Sequence, residues 1–242
     1  MPRIPRPTPP RGLIFLASAW LMISWAMTIG VRPPVQLHAA SYTPAVRLLL
    51  LSIMSGLVIA WPLVRLSGGL RAWPIRQTLL DLVVLICLAQ VVIWPLRLVT
   101  SWSPARSAVI DLCLIGWGAA IAAATSIGSI PARRGMHILR TGAMTVILLL
   151  ALGVPAATLL TGESLPFGGP PPLDAGGDWW AKASLSPLTA MAAITDGGPA
   201  RPTDIEWQAA MRGWWVAAAL WLVALLTHPI LPRVDESEGE DA

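Results

Sequence analysis

Six stretches of this chain carry almost only apolar side chains, and short polar, glycine-rich or proline-rich connections separate them. Their limits fall near 12–31, 45–66, 78–96, 107–127, 137–160 and 204–229. At about 1.5 Å per residue each is long enough to cross roughly 30 Å of hydrocarbon. The pattern predicts an all-α, polytopic membrane protein with six transmembrane helices in one membrane domain.

The breaks between stretches carry their own signals. Arg32-Pro33-Pro34 stops the first, Thr43-Pro44 opens the second, and Gly68-Gly69 turns towards the third. Pro74-x-Arg76 followed by Leu79-Leu80-Asp81-Leu82 is echoed 30 residues later by Pro104-x-Arg106 followed by Val109-Ile110-Asp111-Leu112. Proline suits a first helical turn because its missing N–H would be unpaired there. Both segments should therefore start helices in the same way. Thr203-x-x-Glu206 is a capping box, in which each side chain satisfies an orphan backbone donor of the other residue.

Outside the spans, residues 1–11 are basic and too rich in proline for a helix, so a disordered lead-in is expected. The first stretch exceeds the 7–15 apolar residues of a cleaved signal, which predicts an uncleaved anchor. The long connection 161–202 is irregular in its glycine- and proline-rich first part. It then offers a short helix over 186–196, opened by Ser186-Pro187 and closed by Gly197-Gly198. With Trp179 and Trp180 as anchors this reads as a helix lying at the membrane surface, and a re-entrant half-helix is the alternative. Residues 231–242 form an acidic tail with no apolar anchor, expected to be disordered.

Composition agrees with the pattern: 55% of the 242 residues are hydrophobic, 12% are charged, and the mean hydropathy is +0.65. The net charge of +4 comes from arginines scattered singly at span ends, so it signals topology and not nucleic-acid binding. Ten basic residues fall on the side of the two termini and seven on the other. Both termini are thus expected in the cytoplasm of a bacterial inner membrane. The long connection, which counted through Glu206 at the head of the sixth helix has four more acids than bases, is expected outside.

Candidate chemistry is sparse. Cys87 and Cys113 lie inside spans, which excludes a disulfide framework or a CxxC metal site. His38 belongs to one side while His137 and His228 belong to the other, and no HExxH, GxSxG or GxxxxGK[ST] motif occurs. Neither metal nor cofactor is expected, and no enzyme. Acids inside spans are costly and usually kept for a purpose. That makes Asp81 and Asp111 candidates for intramembrane function, with Gln90 between them and Arg97 and Arg106 at the hairpin's turn.

Asp81 and Asp111 sit about 15 Å apart along an antiparallel hairpin, too far to share a proton or metal. Local partners are expected instead: Arg76 or Arg140 for Asp81, and Arg97, Arg106 or Arg47 for Asp111. Gln90 should bond across to a neighbouring helix. Most of the 13 tryptophans fall at expected interfaces, whereas Trp20, Trp25, Trp117 and Trp221 fall deeper, where helix packing or a partner is expected. Gly116, Gly118, Ala122 and Ala123 offer a close-packing face.

Six spans with both termini inside and a short helix between the fifth and sixth, begun by Leu185-Ser186-Pro187-Leu188-Thr189-Ala190, resemble permease subunits of type-two ATP-binding-cassette exporters. The chain departs from that family before its first span, where no amphipathic helix can form, and in the brevity of SGGLRAWPIR after the second. The resemblance implies a subunit that moves its substrate between its helices or between two copies of itself, surrounded by membrane lipid. A separate ATPase would supply the energy. Coupling to it would use the two inner connections, with Arg71, Arg76, Arg133 and Arg134. The rival reading is a non-catalytic membrane scaffold or assembly subunit that docks another membrane protein. A third is an intramembrane enzyme using Asp81 or Asp111.

Overall fold

The computed structural model describes residues 10–30, 39–68, 74–130, 136–162, 177–197 and 200–227, which are helical apart from short turns. Six helices are long and apolar enough to cross a membrane: Arg11–Gly30, Ser41–Ser67, Pro74–Thr100, Pro104–Gly128, His137–Thr161 and Asp204–Thr227. Each coincides with one predicted stretch. The first consists of α1 (Arg11–Trp25) and a π-helical turn, Ala26–Gly30. The second joins α2 (Ala39–Ser55), a π turn (Gly56–Ala60) and α3 (Trp61–Ser67). Then follow α4 (Pro74–Thr100), α5 (Pro104–Gly128) and α6 (Met136–Thr161). Two short helices, α7 (Gly177–Ala183) and α8 (Pro187–Asp196), precede α9 (Asp204–Thr227). Residues 1–9, 163–176 and 228–242, together with His38, Arg71, Arg133 and Arg134, lie outside the described residues.

The echoed prolines do open helices, since α4 starts at Pro74 and α5 at Pro104. Ser101, at φ 58°, reverses the chain between them, and the Ser103 hydroxyl accepts the Arg106 N–H at 3.2 Å to cap α5. Each carboxylate of the echo, Asp81 and Asp111, stands eight residues into its helix.

The fourth span, α5, is the hub of the bundle, with most of its residues buried from Arg106 to Gly128. Its most intimate neighbour is α9. A Cβ at Gly116 would meet Trp214 Cδ1 at 2.6 Å, and one at Gly213 would meet the Trp117 backbone at 2.9 Å. Only glycine lets the two backbones come this close. Trp214 completes the contact by donating its indole N–H to Leu112 O at 3.0 Å. Gly116 thus gives the expected close approach, Gly118 faces Leu57 and Leu82 of the second and third spans instead, and Ala122 and Ala123 are buried.

By contrast, the first and fifth spans are covered on few sides. Phe15, Met22 and Met27 on one, and Ile138, Leu149 and Leu159 on the other, point away from the bundle. Such faces suit lipid. The tryptophans divide differently from expectation. Trp61 and Trp102, expected in an interfacial belt, are buried in protein, whereas Trp25, expected to face helix packing or a partner, is exposed. Trp117 is packed as expected, at 1% exposure.

Candidate functional site

The long connection before the sixth span enters the bundle. Eight of the ten residues of α8 are buried, among them Thr189, Met191 and Ile194, because α2, α5, α6 and α9 surround it. This corrects the expectation of a helix lying at the membrane surface, which would leave one apolar face to lipid. The composition of α8 explains how it fits. Alanines and threonines keep it narrow, and Thr189 and Thr195 bond to nearby backbone carbonyls, so no hydroxyl is stranded.

Hydrogen bonds mark how deep the insertion goes. Ser186 donates its hydroxyl to Ala151 O at 2.7 Å. Ala151 lies ten residues before the end of α6, about 15 Å along it. That carbonyl is available because Pro155, four residues on, has no N–H to give it. Proline in the fifth span and serine in the connection thus solve one problem together, and Ser186 caps nothing within α8. At a similar depth, Arg212 of α9 donates to Ala181 O at 2.6 Å and to Ser184 Oγ at 2.5 Å. The pair α7–α8 therefore runs along the sides of α6 and α9 and turns back towards the start of α9.

The returning end of α8 meets a second arginine. Arg106, 1% exposed, donates to Ile194 O at 3.0 Å, to Gly197 O at 3.4 Å and to Ala200 O at 3.2 Å, and pairs with Glu206. Each short helix thus has a guanidinium at its C-terminus, where free carbonyls and the negative dipole end favour a cation. Glu206 serves two tasks with its two oxygens. Oε2 accepts the Thr203 N–H at 2.7 Å, completing the expected capping box, while Oε1 faces Arg106. Arg47 of α2 and Asp196 add a further ion pair at 2.5 Å. Burial pushes the Asp196 carboxyl above its ordinary range, and the Arg47 charge opposes that rise.

The other acids lie elsewhere. Asp81 is buried near the start of α4 and takes Arg65 at 3.5 Å and the Gln77 amide at 3.0 Å, in place of the expected Arg76 or Arg140. Asp111 takes none of its three expected arginines. It accepts the Gln90 amide at 2.6 Å, so Gln90 does bond across to a neighbouring helix. Asp111 and Gln90 are half-buried, beside the exposed Trp94, and Gln90 Oε1 has no partner. Arg97 is half-buried and Arg76 exposed.

Glu206, Asp196, Arg212 and Ser186 were not singled out as site residues by sequence reasoning. Their partners are 28 to 149 residues away, and each carried a sufficient local explanation as a cap, a helix end or a span-end cation. Among the described residues no cluster of three or more potential metal ligands occurs. The chain matches no known protein family, no curated protein and no solved structure, and its own geometry is that of a polytopic, all-α membrane protein with six candidate spans.

Proposed function

We propose that this chain is a transport subunit, permease-like, that works with a separate ATPase in a bacterial inner membrane. The observation carrying this reading is the clamped pair α7–α8, inserted between spans from one end of the bundle. A re-entrant pair held at its ends by charged and polar contacts, with small residues along its sides, can shift as a unit and open a route beside α5. Spanning helices that change their tilt would move it through Arg106 and Arg212. At the opposite end, the buried Arg65–Asp81–Gln77 cluster ties the second and third spans together. There, Arg76 and the inner connections carrying Arg71, Arg133 and Arg134 would receive the ATPase.

The test is purification of the tagged chain from native membranes in mild detergent, with identification of companions and assay of ATP hydrolysis. A stoichiometric ATPase is the expected result. A different membrane complex in its place would reject this reading and favour a scaffold or assembly subunit. One observation supports that second reading: Asp111 and Gln90 form a half-buried polar pair inside the third and fourth spans, beside the exposed Trp94. A neighbouring helix with a donor would complete that site.

A further inference from the structure

The third and fourth spans are joined inside the bilayer by the polar pair Gln90 and Asp111. Asp111 stands seven residues after the first residue of α5, about 10 Å along it. With α5 about 37 Å long, a hydrocarbon slab of about 30 Å centred on it puts the carboxyl about 7 Å below the boundary. Gln90, ten residues before the end of α4, donates its amide N–H to Asp111 Oδ1 at 2.6 Å. One turn further along α4, the Trp94 indole also bonds the carboxyl. Trp94, Val91 and Leu98 are exposed on the outside of the bundle, so the open side of this half-buried pair faces lipid.

The pair is one hydrogen short. Gln90 Oε1 is buried and has no donor, and buried acceptors are normally paired. Because that atom is covered, neither lipid nor a partner helix can reach it, and its donor has to come from a group already inside. The Trp94 indole is spent on Asp111 and the Trp214 indole on Leu112 O. Turning the amide over gives no relief, since Oε1 would then face Asp111 Oδ1 at 2.6 Å, a separation that two oxygens keep only with a proton between them. An acid proton on Asp111 removes the defect in either orientation. A carboxylic acid and a primary amide are complementary, each giving one hydrogen and accepting one.

Charge points the same way. An ionised carboxylate inside hydrocarbon is costly unless a cation pairs with it. Among the described residues no ion pair includes Asp111. The arginines of the elements packed around α5 are engaged elsewhere, Arg106 with Glu206, Arg47 with Asp196, Arg65 with Asp81 and Arg212 with Ala181 O. Arg97 lies seven residues beyond Gln90, about 10 Å along α4. After Arg140 the fifth span has no ionisable side chain, and Cys113, two residues beyond Asp111, is a buried thiol.

We propose that Asp111 and Gln90 form a proton-binding site within the bilayer, in which Asp111 carries its proton at pH 7 and shares it with Gln90 Oε1. The site stands whether the chain is a permease or a scaffold.

The test uses the full chain in phosphatidylcholine vesicles at pH 7. Dicyclohexylcarbodiimide enters hydrocarbon and reacts with a carboxylic acid, not with its carboxylate. The acid oxygen bonds to the central carbon, the proton goes to one nitrogen, and the acyl group then shifts to that nitrogen, so the reagent is added whole. An ordinary aspartate is protonated at this pH in about one molecule in a thousand. Mass-spectrometric mapping should find the adduct at Asp111 in excess over that at the exposed Asp204, by about tenfold or more. Infrared spectra of the wild type and of Asp111→Asn, which still offers Gln90 an oxygen and an N–H, read the protonation directly. The wild type should show a carboxylic acid C=O band that the variant lacks. In Gln90→Leu that band should shift, because the carboxyl loses its amide partner. A carboxylate band lost in Asp111→Asn in place of the acid band would overturn the proposal, as would an acid band unmoved in Gln90→Leu or an Asp111 adduct no more abundant than the one at Asp204.

Discussion

At the scale of single residues, buried charge is tolerated only where it is paired, so the pairs are where substitution acts most strongly. Replacing Glu206 by leucine leaves the Arg106 guanidinium buried without its counter-charge and also removes the capping oxygen. A loss of about 3–5 kcal/mol is expected, seen as a large drop in the detergent melting midpoint. Glu206→Gln keeps the cap geometry and should cost less. The Ser186–Pro155 relation makes a sharper test. Ser186→Ala strands Ala151 O and should cost about 1–3 kcal/mol. In a Pro155→Ala background the restored N–H takes that carbonyl, so the same change should cost less, and a double-mutant cycle measures the difference. Equal cost in both backgrounds would refute the link.

The sign for Asp196 follows from its raised carboxyl. The folded state holds the proton at pH values where the unfolded chain, at about the ordinary 3.8, has released it. Its contribution is therefore fully present below that value and is lost as pH rises through the folded one. Unfolding followed from pH 4 upward should show that decline, and Asp196→Asn should flatten it.

Among elements, α5 and α9 act as one unit. Contacts pair Arg106 with Glu206, Leu112 with Trp214 and Gly116 with Gly213, so the two helices run in the same direction. Gly116→Ala places a methyl group against Trp214 and should destabilise by about 1–3 kcal/mol, measured by detergent melting. The α7–α8 pair makes a separate prediction about depth. In a background with Cys87 and Cys113 replaced, a cysteine at Ser186 should resist a membrane-impermeant maleimide, whereas one at Arg201 should react. Equal reactivity would show that the pair does not enter the bundle.

For the whole molecule, the bundle has a buried hub in α5, two thinly covered helices at its periphery and polar clusters near each end. Permease and scaffold make different demands on this arrangement. A permease needs the α7–α8 pair to move with α9, so Arg212→Leu, which removes the cation that holds Ala181 O and Ser184 Oγ, should impair transport while insertion continues. A scaffold needs only its outer faces, and the same change should leave its complex intact. Asp81→Asn and Asp111→Asn address the enzyme reading, which a wild-type phenotype for both would sink.

What the chain settles by itself is what nearest neighbours and solvent settle. Apolar runs long enough for a bilayer, prolines at first turns, Ser103 and the Thr203–Glu206 box each act within a few residues, and all of these elements stand where the local pattern puts them. Tertiary structure alone decided which charge meets which. Arg106 finds Glu206 at a separation of 100 residues, Arg47 finds Asp196, and Asp81 finds Arg65. It also decided that α8 lies inside the bundle. An alanine- and threonine-rich helix of ten residues can rest at an interface or be enclosed by protein. The choice depends on whether distant helices leave a slot with matching donors and acceptors. Here they do, through a carbonyl freed by Pro155 and two arginines that cap helix ends. Local propensity cannot encode such a slot, because it exists only once the spans have packed.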